Sequence, residues 1–324
     1  MTDINLTDEI FHNADAARVH LEALRWPNGP VCPHCGVFEN VTRLQGAKHR
    51  KGLLQCNSCK GHFTVTVGTV MEASPLPLNK WVLAFHLMAS SKKGYSAHQL
   101  HRTLGVTYKT AWFMEHRIRE AMTGLEAAPI GGEGKIVEAD EMYHGTKETQ
   151  VPSPNRKGRP YTKGGKSGGF QKRAVVALVE RGGEARAVAM TGKRVTAANV
   201  REVLVRHANR KSCLHTDESL LYPAVGEEFA KHETVNHSEG EYARGKGAEQ
   251  VTTNSVEGFF GVFKRGFRGI YQHCGEQHFQ RYLDEFTFRY NNRQALGIND
   301  TDRAAYAVIA AEGKRLTYRQ ARNA

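Results

Sequence analysis

Of the six cysteines in this chain, four fall into two Cys-x-x-Cys pairs, Cys32 with Cys35 and Cys56 with Cys59, with twenty residues between the pairs. Each pair is a short knuckle that aims two sulfurs at one point, and two knuckles supply the four thiolates of a tetrahedral Zn2+ site. A redox dithiol needs only one pair, and disulfides suit a secreted chain. The spacing therefore predicts a zinc ribbon whose closed metal site holds the fold and does no chemistry. Cys213 and Cys274 stand alone. The N-terminus, MTDINLTDEIF, begins acidic and has no apolar stretch after a basic start, which opposes a secretory leader and places the chain in the cytoplasm. The longest apolar stretch, WVLAFHLMA, is too short to cross a bilayer, so no membrane association is expected.

Charge supplies the next constraint. Lys and Arg outnumber Asp and Glu by 45 to 33, for a net charge of +12, and the isoelectric point is near 9.4. Such an excess favours a polyanion, because basic groups displace counterions from phosphate backbones. Lys48, His49, Arg50, Lys51 and Lys60 make the ribbon itself basic.

Along the chain the pattern divides into a leading helix over 1–28, the ribbon over 29–72, a helical segment over 78–125, an α/β domain over 133–295 and a helical tail over 296–324. Asn13 caps the first helix, which runs to Arg25. HFTVTVGTV alternates with period two at Phe63, Val65 and Val67 and reads as a strand closing the ribbon. Trp81, Phe85 and Met88 share one helical face. SAHQLHRTLGVTYKTAWFMEHRIREAM then has the form of a helix-turn-helix: Ser96 caps a helix ending at Leu104, Gly105 turns, and Thr107 caps a longer helix bearing Lys109 and Arg117. A packed helical hairpin has the same pattern, so DNA binding through Lys109 and Arg117 and simple packing both stand.

Beyond APIGGEG the period changes to two. KIVEADEMYHG is one strand, RAVVALVE and EARAVAMTG form a hairpin across RGG, TAANVREVLVRHA is a helix, and KSCLHTDE is a further strand. Strands followed by helices describe a mixed α/β sheet. NRKGRPYTKGGKSGGFQKR, rich in Gly, Lys and Arg and free of acids, cannot form a core; it reads as a solvated loop that grips phosphate when DNA is present, through Lys163, Lys166, Lys172 and Arg173.

The acids carry the chemistry. In KIVEADE, alternation puts Ile136, Glu138 and Asp140 on one face and Val137, Ala139 and Glu141 on the other. An aspartate among apolar strand residues is costly unless it is paired or binds metal. LHTDES places Asp217 at the end of another strand. TTNSVEGFFGVFKRGFRGIY is a helix capped near Thr253 or Asn254, with Val256, Phe259, Phe260 and Phe263 inward and Glu257 in its first turn. Two strand-end aspartates and a helix glutamate can gather two divalent cations, Mg2+ or Mn2+, for in-line phosphoryl displacement. Lys264 follows Glu257 by two helical turns on the same face, and Arg265 and Arg268 lie just beyond, all suited to phosphate. His215, His237 and Tyr143 lie beside the acids. In RYLDEFTFRYNNR, Tyr282, Phe286 and Tyr290 fall at core spacing, leaving Arg289 and Arg293 for phosphate.

Taken in order, VEADEMYHG, LHTDESLLY, VNHSEGEYARG, TNSVEGFFGVFKRGFRGIYQH and YLDEFTFRYNNR, with the ribbon in front, resemble the ISXO-like class of bacterial insertion-sequence transposases over residues 15–295. The resemblance implies a ribonuclease H-like core and a DDE-plus-Lys set, which falls on Asp140, Asp217, Glu257 and Lys264. It also implies double-stranded DNA partners, the terminal inverted repeats and a target, with two or more copies of the chain acting together. Members of the class also carry Asn in the third position, and Asn254 is the alternative to Glu257. A non-catalytic DNA-binding protein and a nuclease that cuts without joining are the competing functional readings.

Overall fold

The computed structural model describes residues 5–124, 128–145, 152–153, 156–160, 172–191 and 195–317. Lys163 and Lys166 lie outside the described residues. The chain divides into two compact units, one of 1–123 with 292–324 and one of 124–291.

In the first unit, α1 (Ala14–Arg25) starts at Asn13, whose side chain accepts the N–H groups of Asp15 and Ala16. The ribbon follows as three short antiparallel strands, β1 (Val41–Arg43), β2 (Leu54–Cys56) and β3 (His62–Phe63). The strand expected over HFTVTVGTV stops at Phe63. The backbone turns after it, and the Arg25 guanidinium takes the Val65 carbonyl and, at 3.2 Å, that of Val67, so carbonyls that a ladder would use are bonded to a side chain.

Helix α2 (Leu78–Ser90) buries Trp81, Phe85 and Met88. Helix α3 (Ala97–Leu104) opens with a reciprocal capping box between Ser96 and Gln99 and closes on Gly105 at φ 59°, a left-handed turn that glycine adopts without strain. Thr107 caps α4 (Tyr108–Met122). The segment expected as a separate tail belongs to this unit: α9 (Asp300–Ile309) packs on α1 and α2, and Arg303 donates to the carbonyls of Ala89 and Asn292 at 3.2 and 2.6 Å.

The second unit is a mixed five-stranded sheet. Its strands are β4 (Ile136–His144), β7 (Arg173–Glu180), β8 (Ala185–Ala189), β9 (Cys213–Thr216) and β10 (Lys231–Thr234), in the order β10-β9-β4-β7-β8. β4 pairs antiparallel to β7 and parallel to β9, and β10 is parallel to β9. This is the ribonuclease H-like mixed sheet the resemblance implies. Two small ladders, β5 (Pro152–Ser153) with β6 (Arg156–Pro160) and β11 (Ala243–Arg244) with β12 (Val251–Thr252), are separate from its hydrogen bonding, and β12 lies against β9 and β10.

Helices cover both faces, which is why residues 173–179 of β7 are all buried. On one face, α7 (Asn254–Gly266) and α8 (Phe279–Asn291) set Val256, Phe259, Phe260, Phe263 and Phe286 against Met142, Val175 and Val179. On the other, α5 (Ala197–His207) and the short α6 (Pro223–Gly226) set Val200, Leu204, Tyr222 and Val225 against Val137, Ala139 and Leu178. Each fully buried apolar side chain of this kind contributes roughly 1.5–3 kcal/mol.

Candidate metal-dependent active site

The register of the sheet assembles the acids. β4 and β9 pair Ile136 with Cys213 through Glu138 with His215, and continuing that register by two residues brings Asp217 alongside Asp140. The ligating oxygens of Asp140, Glu141 and Asp217 all lie within 4.8 Å of one another. No lysine or arginine pairs with them among the described residues. Burial first, then the charges of Asp217, Glu141 and Glu257, push the Asp140 carboxyl up to about 7. Burial also raises Asp217 and Glu141. Three hard oxygen donors with converging charge suit Mg2+ or Mn2+.

Glu141 is the unexpected member. Its side chain leaves the opposite face of β4, as alternation requires, and there accepts the Tyr222 hydroxyl at 2.5 Å and that of Ser219 at 3.4 Å. Because the β4 pairing with β9 ends at Glu138, no neighbouring strand separates Glu141 from Asp140 on that side. Asp140 Oδ1 accepts the Glu141 N–H at 2.7 Å, and Asp217 Oδ1 accepts that of Ser219 at 3.1 Å.

Glu257 sits in the first turn of α7, close enough to raise Asp140, yet its carboxylate is not in the tight cluster. It accepts the Thr253 hydroxyl at 2.8 Å and stands 3.7 Å from His237 Nε2. Asn254, the alternative third residue, is exposed at the first position of the same helix. The loop bearing His237 is latched beside Asp217 by Glu218, which accepts the N–H groups of His237 and Ser238 and the Ser238 hydroxyl. These bonds hold Glu218 down at about 2, that of the Ser238 hydroxyl foremost.

His215 is buried behind the cluster, where burial and then Arg181 push it down to about 4. Glu138, also missed as a participant, is fully buried and bonded to the start of α7. The sequence signal for both glutamates was present: carboxylates at 138, 140 and 141 of one buried strand each demand a partner.

At the far end of the same strand face, His144 packs edge-on against Phe263 and Phe267, with centroids 6.0 and 4.8 Å apart. Burial, then Arg268, Arg173, Lys264 and Lys172, push it down to about 4, so four cations surround one neutral ring. Lys172, Lys264 and Arg268 have no carboxylate partner among the described residues. Arg265 is exposed beyond them.

Three arginines expected at phosphate are otherwise engaged. Arg173 is buried and donates to the Cys274 carbonyl at 2.8 Å. Arg289 is buried in an ion pair with Glu285. Arg117, 9% exposed, stacks over Phe113 and Trp81 at 4.9 and 6.0 Å and donates to the Leu316 carbonyl at 3.2 Å. Lys109 is exposed near the start of α4.

In the ribbon, the sulfurs of Cys32 and Cys59 are 3.7 Å apart, those of Cys35 and Cys56 are 3.6 Å apart, and all four lie within 4.8 Å of one another. Sulfurs at about 2.3 Å from a central zinc stand roughly 3.8 Å apart at tetrahedral corners. Backbone hydrogen bonds from Cys59 and Ser58 pull the Cys56 thiol down, whereas, against a backbone hydrogen bond from Val37, burial and the neighbouring sulfurs push that of Cys35 up.

A zinc ribbon together with a ribonuclease H-like sheet that gathers acids from the middle of β4 and the end of β9 is the make-up of a DDE-type DNA transposase. Residues 131–291 match the model of the ISXO2-like transposase domain, and residues 12–62 that of the transposase zinc-ribbon domain. A Halobacterium salinarum protein described as an uncharacterized protein in transposable element ISH50 is 30% identical over 248 residues, which span 76% of this chain and 80% of that one. The chain belongs to the ISXO2-like transposase family. That relative is archaeal, so membership does not carry the bacterial source that the resemblance suggested. Among solved structures, a pre-cleavage Mos1 transpososome is 14% identical, covering 69% of this chain and 76% of that chain at a TM-score of 0.28. A Mos1 strand transfer complex is 12% identical, covering 72% and 78% at 0.26. Superpositions this loose bear on neither fold nor function.

Proposed function

We propose that this transposase cuts the ends of its insertion element by metal-dependent hydrolysis and joins them to target DNA. Asp140, Asp217 and Glu257 supply the ligands, and Glu141 stands with them. The observation that carries the reading is the convergence of Asp140, Glu141 and Asp217 oxygens within 4.8 Å, with no lysine or arginine paired to them among the described residues. Two divalent ions held there would activate a water or a 3′-hydroxyl for in-line attack and neutralise the leaving oxygen. The chain's own part is placement. Tyr222 and Ser219 orient Glu141, the Ser219 N–H orients Asp217, and the latch at Glu218 holds His237 beside Glu257. Lys172, Lys264 and Arg268, without a carboxylate partner among the described residues, offer cations to the DNA backbone around His144, and Lys109 is exposed on α4. No residue is required to bond covalently to DNA, because water attacks first and the freed 3′-hydroxyl second.

The test is cleavage and joining of an end-containing duplex in Mg2+ or Mn2+ by the wild type and by Asp140→Asn. Metal-dependent cut and joined products from the wild type, both lost in a folded Asp140→Asn, are expected. Joining that survives Asp140→Asn sinks the proposal. Cutting without joining makes the chain a nuclease, and binding without either leaves a DNA-binding protein. Joined products that incorporate both ends also report whether two copies act together.

A further inference from the structure

Glu138 shares a strand face with Asp140 and is 0% exposed, yet its carboxylate is turned away from the acid cluster toward the helix that carries Glu257. Glu138 Oε2 accepts the N–H of Ser255 at 2.6 Å and that of Val256 at 3.3 Å. Glu138 Oε1 accepts the Ser255 hydroxyl at 3.0 Å and the Arg181 guanidinium at 3.0 and 2.8 Å. Ser255 and Val256 lie in the first turn of α7, whose N–H groups have no partner inside the helix. Thr253, the residue at the cap position, provides no side-chain cap. The adjoining chain caps only the first N–H, where Thr252 Oγ1 accepts that of Asn254 at 3.2 Å; the next two are capped from the catalytic strand. Arg181 completes the clamp by donating to the carbonyls of Gln250 at 2.8 Å and Thr252 at 3.4 Å, just before the helix.

The contacts that follow run in step. Met142 shares a core with Val256, Phe259 and Phe263, and His144 meets Phe263 and Phe267. Helix α7 thus travels beside β4 in the same direction, with Glu138 at its fixed end. Phenylalanine packing alone tolerates a slide of the helix along the strand, whereas hydrogen bonds to two successive N–H groups do not. A slip of one turn, about 5.4 Å, would carry Glu257 out of reach of Asp140.

We infer that Glu138 is a positioning residue: it fixes the register of α7 on β4 so that Glu257 joins Asp140 and Asp217 in holding a divalent ion. This rests on the metal site proposed above. The competing role is a buried ion pair that contributes stability alone.

Full-length, zinc-loaded wild type, Glu138→Gln and Ser255→Ala decide between them by calorimetric titration with Mn2+ and by the Mn2+ dependence of cleavage. Residues that orient metal ligands change metal affinity by about tenfold to a hundredfold when replaced, and a shift in that range is expected for Glu138→Gln. Its cleavage midpoint should move to higher Mn2+ by the same factor, with rate recovered at saturation. Ser255→Ala removes one hydroxyl donor and leaves the buried pair with Arg181 intact; it should weaken Mn2+ about threefold, the effect of one modest hydrogen bond, and lower melting only slightly. Mn2+ affinity equal to wild type in both variants, with only stability or rate reduced, overturns the inference. If Glu138→Gln does not fold, Ser255→Ala decides alone, and unchanged affinity overturns it. A wild type that takes up no Mn2+ removes the metal site and this inference together, a result distinct from normal binding that the variants fail to disturb.

Discussion

Replacing Asp140 with asparagine should make its unit more stable while abolishing catalysis. The carboxyl is pushed up to about 7 from an ordinary 3.8, by burial first and then by Asp217, Glu141 and Glu257. A rise of about three units at 1.36 kcal/mol each corresponds to roughly 4 kcal/mol as an upper bound on the cost of the ionised form. The sign follows from proton counts. Between pH 3.8 and about 7 the folded chain holds a proton that the unfolded chain has released, so stability falls as pH rises; the penalty is absent below 3.8 and complete above 7. Asparagine does not titrate and retains an oxygen to accept the Glu141 N–H. At pH 8, without Mg2+ or Mn2+, Asp140→Asn should gain up to about 4 kcal/mol over wild type, and the gain should shrink steadily toward pH 4. Tryptophan fluorescence is blind to this change, because Trp26, Trp81 and Trp112 all lie in the other unit. Hydrogen exchange of the β4 and β7 amides, corrected for intrinsic rates, reads it directly. Millimolar Mn2+ should reverse the order by stabilising only the wild type. A variant no more stable than wild type at pH 8, or a gap that does not change with pH, would refute the account of the acid cluster.

Two further outcomes follow from the ribbon and the cation cluster. Stripping zinc, or Cys56→Ser, should unfold the ribbon, since structural zinc is worth roughly 10–16 kcal/mol of folding free energy in small modules. Trp26, which packs edge-on against Phe63 at 5.9 Å, should report this as a red-shifted emission in a chain where Trp81 and Trp112 are phenylalanine; emission unchanged by chelator would contradict it. Lys264→Ala and Arg268→Ala should each lower the slope of log affinity against log salt for DNA by about one, whereas Arg117→Ala should leave the slope alone and lower the melting temperature of its unit. Equal slopes for all three would show that burial has misassigned them.

Elements with strong local signals were legible in the sequence: the Asn13 and Ser96 caps, Gly105, and the β7–β8 hairpin across its Gly-Gly turn all depend on residues a few positions apart. What failed depended on distant partners. The run after Phe63 has strand chemistry, but Arg25, some forty residues earlier, takes its carbonyls. Arg117 and Arg173 look like phosphate ligands in sequence because a guanidinium suits a carbonyl, an aromatic face or a phosphate equally. Within the acid site, Asp217 was readable because it ends a strand, and Asp140 because a carboxylate in a buried strand demands a partner; the strand-end place expected for Asp140 was wrong, since β4 runs on through His144. The nearness of Glu141 was not readable, since it depends on where the β4 pairing with β9 stops and on a tyrosine from another segment.

The clustering of acids from β4, the end of β9 and the start of α7 also bears on the chain as it is being made. Asp140 and Glu257 leave the ribosome far apart in time: at ordinary elongation rates roughly ten seconds separate them. Until α7 emerges, Glu138 has no helix start to cap and the phenylalanines that cover one face of the sheet are missing. A nascent or truncated chain lacking that helix therefore presents two aspartates on an open sheet. The full acid set is assembled only with the last third of the polypeptide, so any activity that depends on it must wait for the end of synthesis.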